Sequence, residues 1–423
     1  MSCHLGRIPQ TGLKLWKALV GLVSVADQPA RRAMCGLFFG FGDNLMLKKL
    51  RVLVFFFLPG LGVAPALASV TLYGVADIGL AYQSRKAGGD ATVFSNPGMN
   101  VSQVGVASGQ QSGSRWGIKG LENLGGGVQA NFVYESSVDL TDGTSMGFTR
   151  QSTVGLASDL AGALDFGRRL SPGSYAFVGI DPFDYSFDQA ALGTSMGAAF
   201  VRLSNMVAYT TPTVFGVTGY VGWSFDTGLR SINSPESPMA FGTTSKFRAL
   251  STGLRYADDR LVVAGLLDVF YSPSGAGSYA VKQWNLGVTY DFKIVKLHGA
   301  FGQNIDGRIN GTRVFANVDT SGGVTNTSGA VLFRQGARTT QWMLGLSASI
   351  TSRSKVFASF QQLSPGGSLD IGATATQTTS SIGYTYAVSN RTNFYAYYSY
   401  MNAPDMYVSG NSQVLGLGVR HSF

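Results

Sequence analysis

The chain has 423 residues and a formal net charge of +9. Only 13% of residues are charged, 12% are aromatic, and 56 glycines stand against 13 prolines. Such aromatic content excludes a disordered chain, two cysteines exclude a disulfide scaffold, and past residue 68 no apolar run reaches the roughly 20 residues of a membrane-spanning helix.

The first 68 residues read as separate from the fold. Met46 resembles a second start. Lys48, Lys49 and Arg51 form a basic segment, residues 52–62 an apolar one, and Ala66-Leu67-Ala68 a small-x-small cleavage site. This three-part pattern is that of a secretory signal. The expectation is therefore that 1–45 is a mis-assigned extension, that 46–68 is a cleaved signal peptide, and that 69–423 is the mature protein. The leader would carry 8 of the 32 basic and 2 of the 23 acidic residues. The remaining 24 basic and 21 acidic residues leave a net charge of +3. That weak excess, with no Lys/Arg stripe, gives no support to nucleic-acid binding. Both cysteines, Cys3 and Cys35, fall in the leader.

From Ser69 onward, apolar and polar residues alternate in segments of about ten, the length of a tilted outer-membrane barrel strand. Trp284, Leu286, Val288, Tyr290 and Phe292 share one face; Gln283, Asn285, Gly287, Thr289 and Asp291 share the other. Trp342, Leu344, Leu346, Ala348 and Ile350 repeat the pattern, as do Phe394, Ala396, Tyr398 and Tyr400. Sixteen strands are expected, beginning near Val70, Ser114, Gly127, Phe148, Ala163, Val201, Val217, Phe247, Leu261, Lys282, Val295, Thr339, Lys355, Thr376, Asn393 and Gln413. Those at Leu261, Val295 and Lys355 have weak contrast between faces. Connections alternate between tight turns and long loops, the long ones spanning 83–113, 171–199, 226–245 and 305–338. Together these features predict an all-β fold, a 16-stranded antiparallel transmembrane β-barrel wide enough for an aqueous channel.

Several strings then resemble a known family. Val70-Thr-Leu-Tyr-Gly-Val-Ala-Asp77 resembles the first strand of Gram-negative general-diffusion porins, particularly the betaproteobacterial and neisserial type. The segment from Ser114-Arg-Trp-Gly through Gly127 is similar to that family's second strand and first turn. Thr153-Val-Gly-Leu156, Phe166-Gly-Arg168, Arg202-Leu-Ser-Asn-Met-Val-Ala-Tyr209 and Gly418-Val-Arg-His-Ser-Phe423 resemble later strands and the C-terminal signature. The resemblance implies a homotrimer whose third external loop folds into the channel, with acidic loop residues facing arginines on the wall. Carried over position by position, Arg115, Arg150, Arg168 and Arg202 fall on the basic wall, and Asp181, Asp184 and Asp188 on the loop. It also implies that the outer-membrane assembly machinery reads Phe423 as an insertion signal.

Alternation supports part of this. Trp116 and Ile118 outward place Arg115 and Lys119 inward. Val201, Leu203, Val207 and Tyr209 outward would place Arg202 inward. Arg150 and Arg168 share parity with apolar residues, so either a bulge intervenes or these strands pack against neighbouring subunits or the inserted loop. The loop's Tyr175, Phe177, Phe183, Tyr185 and Phe187 would gain nothing in water and are expected to pack on the barrel wall.

His298 and His421 stand near no nucleophile motif, and no histidine or cysteine spacing suits a metal. The reading is a porin rather than an enzyme, with no cofactor. It would pass small hydrophilic solutes and ions across the outer membrane, embedded in lipid and lipopolysaccharide, with a modest anion preference. The competing reading is a plugged barrel whose external loops bind a partner.

Overall fold

The computed structural model describes residues 69–86, 100–197, 201–228, 247–272, 280–309, 316–318, 324–326, 331–366, 375–406 and 410–423. The expected leader, 1–45 and 46–68, lies outside the described residues.

The wall begins with β1 (Ser69–Lys86), β2 (Asn100–Ser108), β3 (Arg115–Gly125), β4 (Val128–Ser137), β5 (Gln151–Ser158) and β6 (Gly162–Leu170). It continues through β7 (Arg202–Thr210), β8 (Val217–Ser224), β9 (Arg248–Ala257), β10 (Leu261–Tyr271), β11 (Ala280–Asp291) and β12 (Lys296–Ile309). A small hairpin, β13 (Ala316–Val318) with β14 (Val324–Asn326), stands between β12 and β15 (Val331–Ser349). The circuit is completed by β16 (Ser354–Gly366), β17 (Gln377–Ala387), β18 (Thr392–Asn402) and β19 (Asn411–Ser422). Neighbours pair antiparallel, and β19 returns to β1 in register from Val75↔Ser422 to Lys86↔Asn411. Closure leaves no unpaired edge, as lipid requires.

The sheet contains 17 strands but sixteen wall positions. β2 and β3 lie end to end along the same flank of β1: residues 78–86 pair with β2 and 69–75 with β3. Residues 109–114 leave the wall between them. The expected loop 83–113 thus contains a strand, and the expected loop 305–338 is shortened by extensions of β12 and β15. Backbone pairing continues past the lipid band, where face-to-face alternation of polarity is no longer required, so the sequence pattern loses sight of it.

Within the band the expected faces are found. Leu286, Val288, Leu344, Leu346, Phe394 and Leu417 are exposed on the outer surface, while Gln283, Asn285, Gln341 and Ser399 are buried on the inner one. The main departure is at β6–β7. The register shifts between Gly167 and Arg169, and Asn205 has a positive φ of 46°. This bulge reverses the inside–outside parity. Val207 and Tyr209 lie on the outer side with Phe166, but Leu203 and Val201 are buried against the third loop rather than facing out.

Small residues on the first strands divide between the two faces. Gly155 faces inward against Asp165, and Ala157 and Ala163 share that inner face. On the outer face of Gly74 lies the ring of Phe423, whose backbone N–H and carbonyl both bond Gly74 at 3.1 Å.

Candidate functional site

The lumen is shaped by residues 171–197, which run inward along the wall. The segment opens with a one-turn helix, α1 (Pro172–Ala176), whose Ser171 side chain accepts the Ser174 N–H at 3.1 Å. Pro172 suits the first helical position, where its missing N–H costs no bond. Gly173 lets the turn lie flush on β10: a Cβ there would stand 2.9 Å from Asp268 Oδ1 and 3.1 Å from Leu266 Cβ. Its N–H donates to Ser251 Oγ on β9 at 2.9 Å. Arg255, also on β9, donates to the carbonyls of Ala176 and Val178.

Farther along, Phe177 and Ile180 fill the space above Gly287 on β11, and His298 on β12 bonds Ile180 O at 3.0 Å and Ser347 Oγ at 3.1 Å. Phe183 stacks edge-on against Phe357 of β16 at 4.9 Å. Phe187 sits among Phe183, Phe357, Tyr395 and Tyr397, with ring separations of 5.2–5.8 Å. Gln361 donates to the carbonyls of Ala190 and Ala191, and Gln189 to Ser399 Oγ. Phe177, Phe183 and Phe187 are thus buried on the wall, each ring contributing about 1.5–3 kcal/mol, while Tyr175 and Tyr185 are half-buried.

The three loop aspartates separate into two kinds. Asp184 and Asp188 are exposed, each with a left-handed backbone (φ 52° and 45°). Asp181 is only 3% exposed. Its carboxylate accepts the backbone N–H groups of Phe183, Tyr185 and Leu192 at 2.9, 3.1 and 2.8 Å. Burial pushes its pKa up to about 7, against those three donors, which pull it down. Asp181 therefore organises the loop's own turns and does not present charge to the channel.

The wall arginines gather about a residue the sequence reading did not single out. Glu135 on β4 takes Arg150 Nε at 2.7 Å and Arg115 Nε at 3.5 Å. Arg150 escapes its parity problem by preceding β5, whose regular alternation starts at Gln151. Arg202 stands on the opposite face of β7 from the inward Leu203, so the bulge turns its backbone position to the outer side and not inward as expected; it interacts electrostatically with Arg150, Glu135 and Arg168. Arg420 reaches Arg115 in the same way and donates to Ser112 Oγ at 2.9 Å. Lys119 lies 5.4 Å above the Tyr73 ring. Arg168 pairs in register with Ser152, on the side of Val154, and donates to Thr149 O and Ser204 Oγ at 2.5 and 2.7 Å. Past the bulge, Arg169 takes the loop-facing side, pairing with Asp165 and stacking 4.6 Å from the Tyr175 ring. Glu135 could have been found from the sequence: counting back through the tight turn at 126–127 sets it opposite Gly117, between Arg115 and Lys119 on the inner face.

A family model described as Gram-negative porin matches residues 53–405. An outer membrane porin protein of Bordetella pertussis is 37% identical over 377 residues, covering 86% of this chain and 96% of its own length. Outer membrane porin protein 32 of Delftia acidovorans is 27% identical over 392 residues, with the same coverage of both chains. Among solved structures, an anion-selective porin from Comamonas acidovorans superposes with a TM-score of 0.63 at 23% identity, covering 84% of this chain and 100% of its own. The outer membrane channel DcaP of Acinetobacter baumannii gives 0.58 at 13% identity, covering 84% and 97%.

Proposed function

The chain belongs to the Gram-negative porin family of outer-membrane channels, and we propose that it passes small hydrophilic solutes with a preference for anions, set by a constriction between the arginine wall and the inserted loop. The observation that carries this is the pairing of Arg115 and Arg150 with the single carboxylate of Glu135 on the inner face, with Arg420 beside Arg115. One carboxylate does not neutralise these three guanidinium groups, so the wall holds a fixed positive field. Asp184 and Asp188 supply the exposed acidic groups of the loop. Charge placed at a narrowing selects ions by sign, and opposed charges orient dipolar solutes as they pass. No covalent step and no cofactor enter the mechanism; solutes move down their own gradients. The similarity to a porin described as anion-selective points the same way.

A homotrimer is part of the proposal. Its support is an aromatic patch on the outer wall: Trp116 and Phe148 meet at 5.7 Å, Phe148 and Tyr134 at 5.4 Å, and Tyr134 and Phe132 at 5.6 Å. Reversal potentials across bilayers under a KCl gradient test the selectivity. A chloride-directed potential is expected; a potassium-directed one would overturn the anion preference.

A further inference from the structure

Residues 109–114, where the second wall position breaks, serve no need of the barrel ladder, yet they are tied down from several sides. Gly109 N–H and Ser114 Oγ both donate to Asp77 O on β1, at 2.7 and 2.9 Å. The Asp77 carboxylate, fully buried, accepts Ser112 N–H at 2.6 Å and Tyr395 Oη at 2.6 Å. Asn393 on β18 donates to Gln111 Oε1 at 2.7 Å. The segment thereby turns the Gln111 carbonyl toward the inserted loop, where it accepts the Phe187 N–H at 3.3 Å. The same Tyr395 that holds Asp77 packs its ring against Phe187 at 5.8 Å. Phe187 lies directly before Asp188 and three residues after Asp184.

From this geometry we propose that Asp77 and Tyr395 are positioning residues for the constriction. They hold the 109–114 segment as a receptor for the tip of the third loop, and so fix how far Asp184 and Asp188 reach into the channel. Neither residue contacts solute in this scheme. Asp77 acts through Ser112 and the Gln111 carbonyl; Tyr395 acts through Asp77 and the Phe187 ring. A buried carboxylate with two strong donors is a rigid joint, since releasing either donor leaves a polar group unpaired away from water. The inference rests on the channel reading above and deepens it.

The test uses the full-length purified protein, comparing wild type with Tyr395→Phe and Asp77→Asn. Tyr395→Phe keeps the ring that packs Phe187 and removes only the hydroxyl, so folding of the barrel is preserved; heat-modifiable migration checks this. Two readouts are taken on the folded fraction: deuterium exchange across residues 183–192, and single-channel conductance with reversal potential. The expected result is faster exchange in that segment, larger and noisier conductance steps, and a reversal potential displaced from wild type, with Asp77→Asn the stronger variant. Wild-type exchange in both variants would overturn the anchor. Faster exchange with unchanged conductance and reversal potential would overturn its control of the constriction. A wild-type protein that passes no current would instead defeat the channel reading, while the exchange comparison would still decide whether the anchor exists.

Discussion

At the scale of single residues, the site turns on which carboxylates meet charge and which meet backbone. Glu135 joins Arg115 and Arg150, so Glu135→Gln removes the wall's own counter-charge. The expected outcome is a reversal potential shifted further toward anions and a loss of about 1.5–3 kcal/mol of stability, the range for a hydrogen bond to a charged group; bilayer recordings and thermal melts check the two parts. Asp184→Asn should shift selectivity in the same direction without the stability loss, because its side chain is exposed. Asp181 behaves differently. Its folded pKa is raised to about 7 from the ordinary carboxylate value by burial, so the folded state keeps a proton that the unfolded chain releases. Its contribution to loop docking is complete below the ordinary value and is lost as pH rises toward and through 7. Amide exchange at Phe183, Tyr185 and Leu192 should accelerate over that window, and Asp181→Asn should flatten the dependence. The sequence offers no way to separate these aspartates: Asp-Pro-Phe-Asp reads the same whether a carboxylate faces water or caps its own turn.

Among the elements, the third loop and the strands beneath it explain each other. The three strands with weak contrast between faces correspond to β10, β12 and β16. All three carry the inserted loop: Leu266 and Phe270 on β10, His298 and Ala300 on β12, and Phe357 and Gln361 on β16 are buried on the inner side against it. Weak contrast was therefore a legible trace of the loop's path, since an inner face covered by aromatics need not be polar. The bulge at Gly167 and Asn205 showed only in the shared parity of Arg168 and Phe166, which did not fix its place; one displaced residue reverses the parity of Arg202 and Leu203 without altering composition. Phe357→Ala removes the ring that both Phe183 and Phe187 pack upon, at a cost of about 3–5 kcal/mol. The expected outcome is proteolytic nicking within 171–201 while the barrel stays intact. At the seam between β1 and β19, a Cβ on Gly74 would stand 2.3 Å from the Phe423 ring. Gly74→Val should therefore expel the ring and lower the yield of heat-modifiable protein, as deletion of Phe423 does if the terminal ring guides assembly.

For the whole molecule, closed pairing from β1 around to β19 makes a wall whose outer face suits lipid and whose inner face is polar except where the loop lies. This much was open to reading, because period-two alternation and the alternation of tight turns with long loops are imposed by the bilayer itself. The end-to-end pair β2 and β3 was hidden, since the excursion at 109–114 is fixed by side-chain bonds to Asp77 rather than by pattern. Subunit assembly belongs to this scale as well. If the proposed trimer forms through the aromatic patch around Trp116 and Phe148, Trp116→Ala with Phe148→Ala yields monomers on mild-detergent gels, with the barrel still heat-modifiable. The measurement that bears most directly on the central claim is current through single molecules of the purified, folded protein in a planar lipid bilayer. Large ohmic steps, open at low voltage, are the result this structure predicts, and a folded protein that inserts yet remains electrically silent would contradict it.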